Sequence, residues 1–142
     1  MKVVIRLLAL ARWLMLNRQA RELRRLVQEL PISAQRAVGQ LAMAEIQAAA
    51  RMPQPHLYGS EAGDRYQPWG DATQQAFLKS QARNPQVKLR GMALWIAVVY
   101  HETRESPHPQ LQAMHREVLG LLGVLKGTYS GNATRPVAAR AA

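Results

Sequence analysis

The chain contains no cysteine. That excludes disulfides, a CxxC redox pair and cysteine-ligated zinc, and it leaves the compartment undecided. Acidic residues are scarce: nine, against 19 basic ones, for a formal net charge of +10. Aromatics make up 6% of the residues and are not interleaved with the basic ones, so no stacking platform for single-stranded nucleic acid is indicated. No apolar run reaches the roughly 18 residues of a spanning helix. No GxSxG elbow and no phosphate loop is present, since Gly59-Ser60-Glu61 and Gly63-Asp64 lack both the spacing and the lysine-serine ending. No repeat with a period of about 20–50 residues is visible, which argues against a solenoid. A length of 142 residues leaves no room for a TIM barrel or a two-domain dinucleotide enzyme.

What is present is apolar and helical. Hydrophobic residues are 48% and charged residues 20%, the balance of a folded domain with a core. The expected fold is all-α: a small bundle of about five helices, with a long central Pro/Gly/aromatic loop and a disordered C-terminal tail. The predicted organisation is one helical domain over residues 1–127, containing the loop at 53–70, and a disordered basic tail over 128–142.

The first thirty residues hold no proline or glycine. Their apolar pattern changes side near Asn17. Over residues 2–12, Lys2, Arg6, Ala9 and Arg12 share one side, and Val4, Leu7, Leu8, Ala11, Leu14 and Met15 lie opposite. From Leu16 the stripe is Leu16, Ala20, Leu23, Val27 and Leu30, nearer the side that was charged before. The pattern predicts a kink or a new helix at Asn17. The start of the chain has a short basic lead and Ala9-Leu10-Ala11, as in a signal peptide, but Arg6 and Arg12 interrupt the apolar stretch and argue for a cytoplasmic protein.

Pro31 ends this region, and Ser33 is the expected cap of a helix over 34–51. Its apolar side is Ala34, Ala37, Val38, Leu41, Ala48 and Met52, with Glu45 on the same side. Residues 53–70 hold three prolines and three glycines, and Tyr58, Tyr66 and Trp69 are expected to pin this loop to the helices. Asp71 and Gln74 fit a capping box for a short helix over 72–82, with Ala76 and Phe77 inward. Met92–Tyr100 is an unbroken apolar run. A helix apolar on nearly every side is a buried one, so residues 86–105 are the predicted core helix. In the last helix Leu111, Met114, Val118, Leu121 and Leu125 repeat at three and four. Ser106 is its expected cap and Lys126-Gly127 its end, and Gly120 and Gly123 allow close approach of another backbone.

Three constellations bear on chemistry. His101-Glu102-x-x-Glu105 falls one histidine short of the zinc-protease pattern. His101 and Glu105, with His108 or His115 joining, would make at most a marginal metal site. His56, Glu61 and Asp64 share the long loop, where nothing fixes their geometry. Arg18, Arg21 and Arg25 line one helix face, and Gln35, Arg36 and Gln40 stand at the start of the next helix after a short turn, as in a generic helix-turn-helix. No catalytic residue and no cofactor is assigned, and no small-molecule substrate is expected.

The function these features favour is that of a non-enzymatic interaction protein or regulator. It would self-associate, as a homodimer for example, or dock on a partner protein through apolar helix faces. The candidate surface is Val4, Leu7, Leu8, Trp13, Tyr58, Tyr66 and Trp69. The alternative is a nucleic-acid-associated or DNA-binding regulatory protein using Arg18, Arg21, Arg25, Gln35, Arg36 and Gln40. Contact of residues 1–16 with a membrane surface is a further alternative. A hydrolase or metal-dependent enzyme ranks last.

Overall fold

The periodicities resolve into five helices: α1 (Lys2–Gln28), α2 (Ile32–Ala50), α3 (Tyr66–Ser80), α4 (Pro85–Thr103) and α5 (Pro109–Lys126). The computed structural model describes residues 2–50 and 66–127, and no strand occurs among them. The all-α bundle expected from the sequence is therefore the observed one. The loop residues from 53 to 65, expected to be pinned to the helices, and the tail from 128 onward, expected to be disordered, lie outside the described residues.

α4 is the hub, packing against α2, α3 and α5, while α1 packs against α5. Asn84 caps α4: its side-chain oxygen accepts from the backbone N–H groups of Gln86 (2.9 Å) and Val87 (3.3 Å), and Pro85 follows in the first turn, where its missing donor costs nothing. Met92, Ala93, Trp95, Ile96, Ala97, Val98 and Val99 are all buried. Burying each of the larger ones contributes about 1.5–3 kcal/mol relative to exposure. Two glycines set interhelical distances. A Cβ on Gly91 would come within 2.4 Å of the Ser80 backbone nitrogen, and one on Gly39 within 3.1 Å of Leu125 Cβ. Gly120, by contrast, faces open space and admits no close neighbour.

α1 departs most from expectation. It is one unbroken helix through Asn17. Its buried residues are Ala9, Arg12, Leu16, Gln19, Ala20, Leu23, Leu26 and Val27. Ala9, Arg12, Leu16, Gln19, Leu23 and Leu26 alternate at three and four along the whole helix, which is the seam of a single straight helix. The apparent change of side came from reading the side that carries Arg12 as the charged one. Arg12 and, further on, Gln19 are both inside and hydrogen-bonded, so nothing requires a break.

Smaller corrections concern helix ends. α2 begins at Ile32, which puts Ser33 inside the helix. α2 also buries Val38, Ala42, Ile46 and Ala49, leaving Leu41 40% exposed, because alanines define a helix face poorly and Ile46 decides it. α3 begins at Tyr66, so Asp71 lies within it and not at its cap; Pro68 is tolerated in the first turn. α5 starts from His108, with Pro109 at the first position, and Ser106 Oγ accepts from the His108 backbone N–H at 3.3 Å. Its end is as expected: Gly127 adopts φ 75°, the left-handed region that favours glycine.

Candidate docking site on the first helix

Two polar bridges fix the rotation of α1 about its axis. Arg12 Nε donates to Glu102 Oε2 (2.5 Å), and its Nη2 donates to Glu102 Oε1 (2.6 Å) and to Thr73 Oγ1 (2.7 Å). The side chains of this pair are only 7% and 3% exposed. Seven residues on, Gln19 accepts from Trp95 Nε1 (2.7 Å) and donates to Gln74 Oε1 (3.0 Å). α1 is thus tied twice to α4 and twice to α3. Burial pushes the Glu102 carboxyl up, and the hydrogen bonds and charge of Arg12 pull it back down. Removing Arg12 would leave the Glu102 carboxylate in a dry interface, and removing Glu102 would take the opposite charge from the buried guanidinium.

The consequence appears on the opposite side of the helix. With Arg12 and Gln19 turned inward, Val3, Val4, Leu7, Leu8, Leu10 and Leu14 are turned to solvent, each 37% exposed or more. Scattered exposed leucines need no explanation, but six large apolar side chains along three turns of one helix form a contiguous ridge. At about 100° per residue, Leu7, Leu14, Arg18, Arg21 and Arg25 lie within an arc of about 60°. One face of α1 therefore runs from apolar in its first half to cationic in its second.

The cationic half is less charged than its sequence implies. Arg25 is paired with both Glu22 and Glu29, and Arg24 with Glu117 on α5. Hydrogen bonding to Arg25 holds the Glu22 carboxyl below its usual value. Arg18 and Arg21 are exposed and have no ion-pair partner among the described residues. They stand over a groove of about 550 Å³ between α1 and α3, lined also by Met15, Gln19, Glu22, Gln74 and Phe77. Its lining combines the apolar Met15 and Phe77, the amides of Gln19 and Gln74, the Glu22 carboxylate and the guanidinium groups of Arg18 and Arg21.

The other sequence-derived residues are distributed as follows. Val4, Leu7 and Leu8 belong to the ridge, and Trp13 is half-buried against the core. Tyr66 and Trp69 are on the first turns of α3. Their side chains, and Tyr58 altogether, lie outside the described residues. Gln35 is not available for base reading: its Nε2 donates to the carbonyls of Val27 (3.0 Å) and Leu30 (3.1 Å) and so closes the end of α1. Arg36 and Gln40 line a different groove, of about 390 Å³, with Gly39 and Leu125. Arg36 and Gln40 thus line a groove other than the one lined by Arg18 and Arg21.

The metal constellation is not brought together either. α4 ends at Thr103, so Glu105 no longer follows His101 at helical spacing; it is exposed beside Arg104. His101 Nε2 lies 3.3 Å from the Ile46 carbonyl, and His108 caps α5. No group of three potential metal ligands occurs among the described residues. Glu102, the middle residue of that pattern, is the buried partner of Arg12. His115 Nδ1 is 3.0 Å from Thr103 Oγ1, whose hydroxyl donates to the Val99 carbonyl at 2.7 Å. Burial lowers the pKa of both His101 and His115, with the charge of Arg104 acting in the same direction. His56, Glu61 and Asp64 lie outside the described residues.

The residues that sequence reasoning missed are Arg12, Gln19, Thr73, Gln74, Trp95 and Glu102. The three-four alternation through Arg12 and Gln19 was a usable signal. Nothing local marks Glu102, ninety positions away, as the partner of Arg12. No protein-family model, no curated protein and no solved structure matches this chain.

Proposed function

We propose that this protein is a non-enzymatic docking domain and that the outer face of α1 is its contact surface. The observation that carries this reading is the ridge of Val3, Val4, Leu7, Leu8, Leu10 and Leu14, exposed on a helix whose rotation is locked by a buried ion pair. An alternative rotation of α1 would bury leucines in place of Arg12. The observed one keeps a charge pair inside, which is weak as a stabiliser, and displays the apolar side chains. That arrangement suits a surface meant to be covered by a partner. No helix among the described residues is long and apolar enough to cross a membrane, so the ridge is proposed as a contact surface and not as a span.

Site-specific photocrosslinking tests the reading. A benzophenone amino acid is placed at Leu7 or Leu10, and at Leu119 of α5, which is 47% exposed, as a control. Discrete higher-mass adducts in the native host at the α1 positions, absent at Leu119, are expected. An adduct of twice the chain mass identifies self-association, and any other mass a different protein. Equal labelling at the α1 and α5 positions removes the α1 face as the docking surface.

Nucleic-acid binding is the second reading, and Arg18 and Arg21 are the observation in its favour. It predicts binding to duplex DNA that weakens linearly with salt on a log–log scale. Two features stand against it: Arg24 and Arg25 are neutralised within the protein, and Gln35 is engaged in closing α1.

A further inference from the structure

We propose that the α1 ridge and the adjoining α1/α3 groove receive an acidic amphipathic helix of a partner protein. Its apolar side chains lie against the Val3–Leu14 half, and its carboxylates meet Arg18 and Arg21. This deepens the docking reading above and rests on it. Four observations define the occupant.

The first is the order of chemistry along the face. The surface passes from apolar to cationic in line, over Val3 to Arg21, about 27 Å of helix. A complementary helix of some five turns carries apolar residues at one end and acidic residues at the other, both at three-four spacing.

The second is charge. Six acidic side chains are described, and five of them, Glu22, Glu29, Glu102, Glu105 and Glu117, are already paired with this chain's own arginines. Only Glu45 is left among them, exposed on α2. Among the described residues no carboxylate answers Arg18 and Arg21, so these two exposed cations are open to carboxylates of a partner. A second copy is a poor source, because it presents the same cationic ridge and carries the same +10.

The third is shape. The groove lined by Arg18 and Arg21 is concave, about 550 Å³, and Met15 and Phe77 are part of its wall. Such a groove accepts apolar anchors from a helix. A bilayer surface is flat on this scale. Helices that lie on lipid carry their cations along the polar side, whereas Arg18 and Arg21 continue the apolar stripe itself.

The fourth is rigidity. Arg12 and Gln19, on the inner side of the same helix, hold the face in one orientation through Glu102, Thr73, Trp95 and Gln74. A preformed face loses little freedom on binding.

The test is fluorescence anisotropy at about 0.15 M salt with the full-length protein. The probe is a fluorescein-labelled helical peptide of eighteen residues, with leucines at three-four spacing in one half and glutamates at the same spacing in the other, in forward and reversed sequence. Its counterpart has lysine in place of every glutamate. The glutamate peptide is expected to bind at least tenfold more tightly than the lysine peptide. R18E/R21E is expected to invert that preference, and R18Q/R21Q to abolish it without inversion. R90E/R116E makes the same change in net charge on α4 and α5 and is expected to leave the preference intact. Circular dichroism confirms that each variant is folded.

The proposal is overturned if the wild type shows no preference, or if R90E/R116E loses it as fully as R18E/R21E, since the effect is then one of total charge. It is also overturned if the protein ignores both peptides but binds vesicles of phosphatidylcholine and phosphatidylglycerol (3:1) in a manner abolished by R18E/R21E; the surface is then lipid-facing. Photocrosslinked protein adducts at Leu7 together with no peptide preference would leave the docking domain standing and remove the acidic helix as its occupant.

Discussion

α1 and α4 are both rich in large apolar residues, and they meet opposite environments. In α4, Trp95, Ile96, Val98 and Val99 are at most 3% exposed. In the first half of α1, Val3, Val4, Leu7 and Leu14 are more than half exposed. Composition does not separate the two helices; their neighbours do. α4 packs against α2, α3 and α5, and its apolar run from Met92 to Val99 is covered by them. α1 packs at the outside of the bundle, and the side that faces inward is chosen by Arg12 and Gln19. The lesson is that a polar residue inside can decide what an apolar residue outside is available to do. Arg12 contributes less by its own energy than by fixing which face of α1 is presented.

The largest expected effect breaks this device directly. Glu102→Ala leaves Arg12 buried without its carboxylate and is expected to cost about 3–5 kcal/mol in urea unfolding. In the double variant Arg12→Leu/Glu102→Leu, the loss is expected to fall well below the sum of the two single substitutions, because no charge is stranded. Full additivity would show that the pair does not act as a unit.

Next in size is the core of α4. Ile96→Ala is expected to lower stability by about 2–5 kcal/mol, through lost burial and the cavity left beside Trp95 and Met92.

A smaller effect comes from pH. His101 and His115 have lowered pKa values in the folded protein, so the unfolded chain takes up protons first as the solution is acidified. Their contribution is complete above the unfolded value of about 6.5 and is lost as pH falls through the lower folded values. The thermal midpoint is therefore expected to drop between about pH 7.5 and 5. His115→Asn is expected to flatten that dependence, and an identical slope in wild type and variant would exclude His115 as a source.

The smallest effect sharpens the comparison with α4. Leu7→Ala and Leu14→Ala are expected to change stability by no more than about 0.5 kcal/mol, as surface substitutions do, while weakening the crosslinked adducts at Leu10. A loss comparable to that of Ile96→Ala would mean that the ridge belongs to the core and is not a contact surface.

Much of the fold was legible because helical periodicity is a local property. The spacing of Leu111, Met114, Val118, Leu121 and Leu125 located α5, and Gly127 its end. The unbroken run from Met92 identified α4 as the buried helix. Along α1, legibility failed at Arg12. It read as part of a charged outer side because a charge is costly inside unless it is paired, and the pairing group, Glu102 on α4, is remote in sequence. Gln19 is held inside in the same way by the remote Trp95 and Gln74. With the Arg12 side taken as the outer one, one helix looked like two.

The candidate site was legible only in outline. Leu7, Leu8, Arg18 and Arg21 stood out as an apolar and a basic face, but as separate features on two segments. Their union into one ridge required a continuous α1, and the groove beside them required α3 to bring Phe77 and Gln74 alongside. The weakening of the basic face also depended on pairing: Glu22 and Glu29 lie within one helical turn of Arg25, but Glu117 reaches Arg24 from another helix.

The sequence by itself determined where helices form, which runs are apolar and how strongly positive the chain is, because these follow from side-chain type and spacing along one polymer. Tertiary structure alone decided which side of α1 faces solvent, which arginines are paired with carboxylates from other helices and which glycines admit a neighbouring backbone. Each of these depends on a distance between residues far apart in the chain, and a buried hydrogen bond or ion pair is made or lost within about an ångström.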